Sequence, residues 1–165
     1  MPGKGTNNLN PEQARRIAEE CYAEVLAYCR RHAPVGYEPA DLTQETFLRF
    51  VRAGSYREQG RPIAYLMRIA RSVCIDASRK RRPELVAVDF DLPAKETVES
   101  GVEVEEALAK LPDDLRDAIE LRYGLGLSMG EVAYALGTSR FSVRRRINAA
   151  VKLLEKELRE GGPDE

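Results

Sequence analysis

The stretch Leu127–Leu158, LSMGEVAYALGTSRFSVRRRINAAVKLLEKEL, decides how the chain is read. Ser128 and Glu131 stand at capping-box spacing, where a hydroxyl and a carboxylate three residues apart satisfy each other's orphan backbone donors. That spacing predicts a helix through Leu136, with Val132, Ala133 and Leu136 facing inward. Gly137 supplies the left-handed residue that ends it, and Ser139 caps a second helix. Val143, Ile147, Val151, Leu154 and Leu158 recur at intervals of four, four, three and four, which defines one buried stripe. Ser139, Arg140, Ser142, Arg144, Arg145, Arg146, Asn148 and Lys152 fill the remaining faces, concentrated in the first turns. A short helix, a glycine turn and a longer helix with a basic, amide-bearing start make a helix-turn-helix. Its second helix suits the DNA major groove, where arginine pairs with guanine edges and asparagine with adenine. The alternative is a plain helical hairpin with a solvated basic face.

Charge patterning extends the first reading. Over the whole 165 residues the formal net charge is only −1. From Arg61 to Arg82, however, seven basic residues face Asp76 alone. From Pro83 to Glu120, twelve acids face three bases, and from Arg140 to Lys152 five bases face no acid. Two cationic blocks flank an acidic middle, which points to a polyanion held at two places, because each lysine or arginine at a phosphate releases counterions.

Upstream, the pattern is helical throughout. Pro11 to about His32 carries Ile17, Cys21, Val25 and Tyr28 on one face, and Pro34, Gly36 and Pro39 break it. Asp41, with Gln44 three residues on, reads as the cap of a second helix whose buried stripe is Leu42, Phe47, Phe50 and Val51. After the loop Ser55–Arg61, Pro62 opens a third helix with Ile63, Leu66, Ile69, Ala70, Val73 and Ala77 inward. It runs into Arg79-Lys80-Arg81-Arg82. Periodicity then lapses and returns at Val104, Leu108 and Leu111. The expected fold is all-α, with a tail over 1–10, a helical domain over 11–82, an acidic linker over 83–102, a helix-turn-helix domain over 103–160 and a tail over 161–165.

Composition excludes several function classes. An odd cysteine count of three and a single histidine argue against a disulfide scaffold, a multi-ligand metal site and histidine-based catalysis. Cys21, Cys29 and His32 share a helix that Cys74 can approach, but buried thiols acting as small hydrophobes are the expected reading. No apolar run reaches the ~18 residues a membrane span needs, and the start lacks the apolar core of a signal peptide. A cytoplasmic protein without a cofactor, metal or small-molecule substrate, and not an enzyme, is expected.

At this point a family resemblance carries the reading further. Leu111-Pro112, Leu121-Arg122-Tyr123, Gly126-Leu127-Ser128, Glu131-Val132-Ala133, Leu136-Gly137 and Ser142-Val143-Arg144-Arg145-Arg146 resemble the C-terminal, region 4 domain of bacterial sigma-70 family factors. Asp41-Leu42-Thr43-Gln44-Glu45-Thr46-Phe47-Leu48-Arg49 resembles the family's polymerase-binding helix. Ala64-Tyr65-Leu66-Met67-Arg68-Ile69-Ala70-Arg71, with Ile75-Asp76 and the basic run to Arg82, resembles its promoter-melting helix in region 2. Two domains with a short linker are similar to the extracytoplasmic-function group. The resemblance implies core RNA polymerase and promoter DNA as partners, leaves an anti-sigma protein open as a third, and assigns polymerase contact to Asp41, Gln44, Glu45 and Arg49. It implies capture of downstream bases by Tyr56 and Tyr65, and phosphate tracking by Arg61, Arg68, Arg71, Arg79, Lys80, Arg81 and Arg82. The recognition helix would use the Ser139–Lys152 set named above.

The chain departs from that pattern in places. Tyr65 stands where many relatives have tryptophan, Ser72 replaces a common asparagine, and Asn148 and Ala149 replace basic or histidine residues. The connection His32–Ala40 also reads differently. Two other classes stay open: a free-standing helix-turn-helix regulator, and a sigma-like decoy that binds a regulatory protein.

Overall fold

The computed structural model describes residues 10–53, 61–80 and 102–160. These residues form seven α-helices and no strand, in two compact units. The first unit holds α1 (Pro11–His32), α2 (Pro39–Ala53) and α3 (Pro62–Lys80), each packed on the other two. The second holds α4 (Val102–Ala109), α5 (Asp113–Ile119), α6 (Met129–Leu136) and α7 (Arg140–Glu160). Of the expected tails, residues 1–9 and 161–165, of the loop, residues 55–60 with Tyr56, and of the expected linker over 83–102, residues 83–101, lie outside the described residues, as do Arg81 and Arg82.

Local chemistry explains the ends of the helices. Asn10 caps α1 by accepting from the Glu12 amide at 2.8 Å, while Gln13 reaches back to the Asn10 amide, and Pro11 fills a position where no N–H is needed. The second helix starts earlier than the Asp41 cap expected from sequence. Pro39 is its first residue, and the Glu38 carbonyl already accepts from Asp41 and Leu42 at 3.0 and 3.2 Å. Asp41 therefore sits inside the first turn, where its charge suits the positive end of the helix dipole.

The core of the first unit is built from Val25, Cys29, Phe50, Leu66, Met67 and Ala70, all essentially without solvent contact. Burial on this scale stabilises by roughly 1.5–3 kcal/mol for each large side chain. Thr43 and Thr46 are also buried, and each hydroxyl donates to the carbonyl four residues back at 2.8 Å, so neither polar group is left orphaned. Cys21, Cys29 and Cys74 are buried free thiols. Burial, with Glu24 and Glu20 adding, pushes the Cys21 thiol up to about 11. Cys29 is drawn down to about 7 by its hydrogen bond with Cys74, which outweighs its burial.

One apolar assignment on α2 is corrected: Val51 is 61% exposed and Phe47 only half-buried, beside the ring of Tyr22. Leu42, Thr43, Thr46 and Phe50 make the inward face instead. Two threonines whose hydroxyls bond their own helix serve as core residues that a hydrophobicity pattern overlooks.

In the second unit, α5 runs without a break into a π-helical turn, Glu120–Gly124, and α7 packs on α4, α5 and α6. Leu127, Val132, Val143, Ala118 and Ala150 form its solvent-free centre. The stripe on α7 is shorter than expected. Val143, Ile147 and Ala150 are buried against the other helices of the unit, but Val151 and Leu158 are exposed.

Candidate nucleic-acid interface

The geometry of α6 and α7 follows from three local devices. Ser128 Oγ accepts from the Glu131 amide at 3.1 Å and Glu131 Oε1 accepts from the Ser128 amide at 2.9 Å, completing the capping box. Gly137 takes φ +63°, the left-handed conformation that lets the chain leave α6. Ser139 Oγ accepts from the Ser142 amide at 3.1 Å and starts α7.

Because Val143, Ile147 and Ala150 point inward, the rotation of α7 is set, and Phe141, Arg144, Arg145, Asn148 and Lys152 point out. Their spacing of three, four, seven and eleven residues from Phe141 makes one strip along the helix. Arg144, Arg145, Asn148 and Lys152 are thus where the sequence placed them. Arg146 and Ser142 are half-buried at the flank, and Arg146 Nε lies 4.0 Å from Asp114 Oδ2 on α5. Arg140 lies across α6: a Cβ on Gly130 would come within 2.7 Å of its Nη2, so the absent side chain makes room for the guanidinium.

Sequence reasoning passed over Phe141, which is 69% exposed. Its signal was present as a large apolar residue off the buried stripe, one position past the start of a basic helix. The Arg145 guanidinium carbon lies 5.9 Å from its ring centroid, within cation–π range.

The second cationic surface lies on α3. Arg68 and Arg79 are exposed and fall with Ser72 on one line of the helix, with half-buried Tyr65 beside it, and exposed Arg61 stands immediately before its first residue. The Tyr65 ring meets Phe50 edge-on at 5.8 Å, so one side of the tyrosine is anchored in the core. Arg71 is half-buried, and Arg79 and Lys80 stand exposed at the helix end.

The third surface is the outer face of α2. Asp41 and Gln44 are exposed there, joined by Leu48 and Val51, two apolar residues that the sequence reading did not assign to it. Glu45 and Arg49 are half-buried and committed within the unit. Arg49 donates to Glu45 at 3.1 Å and to Asp76 of α3 at 3.0 Å. Burial opposes the charge on Arg49, but its bonds to both carboxylates outweigh that and raise its pKa.

Comparison with known proteins identifies the family of both units. Residues 17–84 match the Sigma-70 region 2 family model, and residues 101–154 match the Sigma-70, region 4 model. The chain is 32% identical to ECF RNA polymerase sigma factor SigE of Mycolicibacterium smegmatis over 83% of its own length, and spans 56% of that relative. It is 27% identical to ECF RNA polymerase sigma factor SigW of Bacillus subtilis, covering 90% of this chain and 95% of SigW. Among solved structures, it shares its fold with the sigma factor RpoE of Bartonella quintana in complex with the anti-sigma factor NepR, with a TM-score of 0.72, 20% identity, and coverage of 90% and 98%. CnrH in complex with the cytosolic domain of CnrY gives a TM-score of 0.68 at 22% identity, covering 93% and 92%.

Proposed function

The chain belongs to the sigma-70 family of RNA polymerase sigma factors, in its extracytoplasmic-function group, and from that premise we propose how its surfaces divide the work of transcription initiation. The outer face of α2, with Asp41, Gln44, Leu48 and Val51, docks on core RNA polymerase. Its carboxylate suits a basic partner while the two aliphatic side chains gain by leaving water. Glu45 and Arg49 position this face by tying α2 to Asp76 of α3.

The α3 line of Arg68 and Arg79, with Arg61 just before the helix and Lys80 at its end, follows the phosphates of opened downstream promoter DNA, and Tyr65 stacks on an unpaired base. The α7 strip enters the major groove of the upstream element, where Arg144 and Arg145 present forked donors to guanine and Asn148 presents an amide to adenine. Arg140 and Arg146, held across α6 and beside α5, contact backbone phosphates at the rim, as does Lys152. The domain limits that go with these roles are 11–82 and 103–160.

The observation that carries this reading is the α7 strip. Its arginines and asparagine project together because the opposite side of the helix is the core. Sigma factors are transcription regulators rather than enzymes, and we assign this chain no catalytic step. No described helix is long and apolar enough to cross a membrane, and its proposed place is the cytoplasm, with the polymerase and DNA. An anti-sigma protein, as in the NepR complex, is a fitting third partner, competing for the α2 face.

Run-off transcription with purified core RNA polymerase tests the proposal. Initiation from a selected promoter only when chain and core are combined is the expected result. Tight, sequence-specific duplex binding by the lone chain, with no effect on initiation, would identify an ordinary helix-turn-helix regulator instead.

A further inference from the structure

We propose that Phe141 is a specificity determinant of the recognition helix, reading the C5-methyl group of a thymine next to the base pair read by Arg145. This rests on the major-groove role proposed for α7 above. An exposed phenylalanine is unremarkable by itself; its position is what matters. Phe141 is the second residue of α7, in the turn that a helix-turn-helix protein presents to base edges. It shares the outward strip with Arg144, Arg145 and Asn148, and within that strip it is the large apolar group. Solvation of its ring gains nothing for the free chain, since the core lies on the far side of the helix at Val143 and Ile147.

The groove chemistry then selects the ligand. Of the four bases, thymine alone presents a methyl group in the major groove, and an aromatic ring is one of the side chains that pack on it. The 5.9 Å approach of Arg145 to the ring makes the two side chains neighbours, so that the arginine fork and the ring address adjacent positions. Against a cytosine or a purine at that step, the ring would desolvate a polar edge without a hydrogen bond in return.

The test uses holoenzyme assembled from the full chain and core RNA polymerase, with a duplex library randomised over the upstream segment. Wild-type holoenzyme is expected to select thymine at one position adjacent to the one whose preference changes in Arg145→Ala. Phe141→Ala should lose that thymine preference while keeping the others, and Phe141→Leu should keep part of it. Replacing this thymine by deoxyuridine removes only the methyl group. That change should weaken wild-type binding about three- to five-fold and leave Phe141→Ala binding unaltered. A flat deoxyuridine scan in the wild type, or equal losses for Phe141→Ala on thymine and deoxyuridine duplexes, would overturn the inference while transcription itself persists. If the wild-type holoenzyme selects no sequence and initiates nowhere, the function proposed above falls together with it.

Discussion

The two basic helices, α3 and α7, resemble each other in composition and differ in how they are held. Seven residues of α3 are buried among its 19, and the exposed arginines are spread from Arg61, immediately before it, through Arg68 to Arg79. At 1.5 Å of rise per residue those intervals are about 10 and about 16 Å, a spacing that suits a phosphate chain rather than a base pair. Only three residues of α7 are buried among 21, and its cations and amide crowd into the first turns. A helix clamped along its length can offer only a line of charge. One anchored on a narrow stripe leaves the cation- and amide-bearing faces of its first turns open to enter a groove. The difference teaches that basic content alone does not distinguish the two helices; the pattern of burial does, and on it rests the proposal of phosphate tracking for α3 and base reading for α7.

Truncation experiments can break this contrast most directly. Leu66→Ala, at a side chain with no exposure, should cost about 2–5 kcal/mol in urea denaturation. Leu158→Ala, at 42% exposure, should cost less than about 1 kcal/mol. Similar losses at both sites would show that the far end of α7 is clamped like α3.

The next largest effect separates the two modes of DNA contact. Arg144→Ala or Arg145→Ala should weaken holoenzyme binding by about 1–3 kcal/mol and change preference at one upstream position. Arg68→Ala should weaken binding evenly across promoter sequences and reduce the salt slope by about one. A base-specific change for Arg68, or a uniform one for both Arg144 and Arg145, would erase the distinction.

Smaller effects sharpen the supports behind each helix. Gly137→Ala forces a side chain into φ +63° and should cost about 1 kcal/mol in thermal denaturation. Gly137→Asn should recover part of that, since asparagine tolerates the left-handed region better. A double-mutant cycle on Arg49 and Asp76 should give a coupling below about 1 kcal/mol, declining with salt, because both side chains are more than a third exposed. A coupling several times larger would mean that this ion pair, and not the apolar core, sets how α2 meets α3.

The candidate site was legible in part. Arg144, Arg145, Asn148 and Lys152 project outward as their spacing requires, and Arg68 and Arg79 do so on α3, with exposed Arg61 immediately before it. Arg146 and Arg49 could not be placed from spacing, since their acidic neighbours Asp114 and Asp76 come from other helices. The capping role given to Asp41 yielded to Pro39, which can occupy the first helical turn and so moved the start three residues upstream.

What the sequence determined by itself was the punctuation and type of the elements: Ser128 with Glu131, Gly137, and Ser139 act through bonds reaching only three or four residues along the chain. Local chemistry suffices there because both partners of each bond belong to the same turn. Which apolar residues are covered was decided only by tertiary packing. Val51, Val151 and Leu158 satisfy a helical period as well as their buried neighbours do, yet they stay in water, and Phe141 lies outside the stripe altogether. A stripe needs a facing surface before it is a core, and that surface belongs to the partner helices.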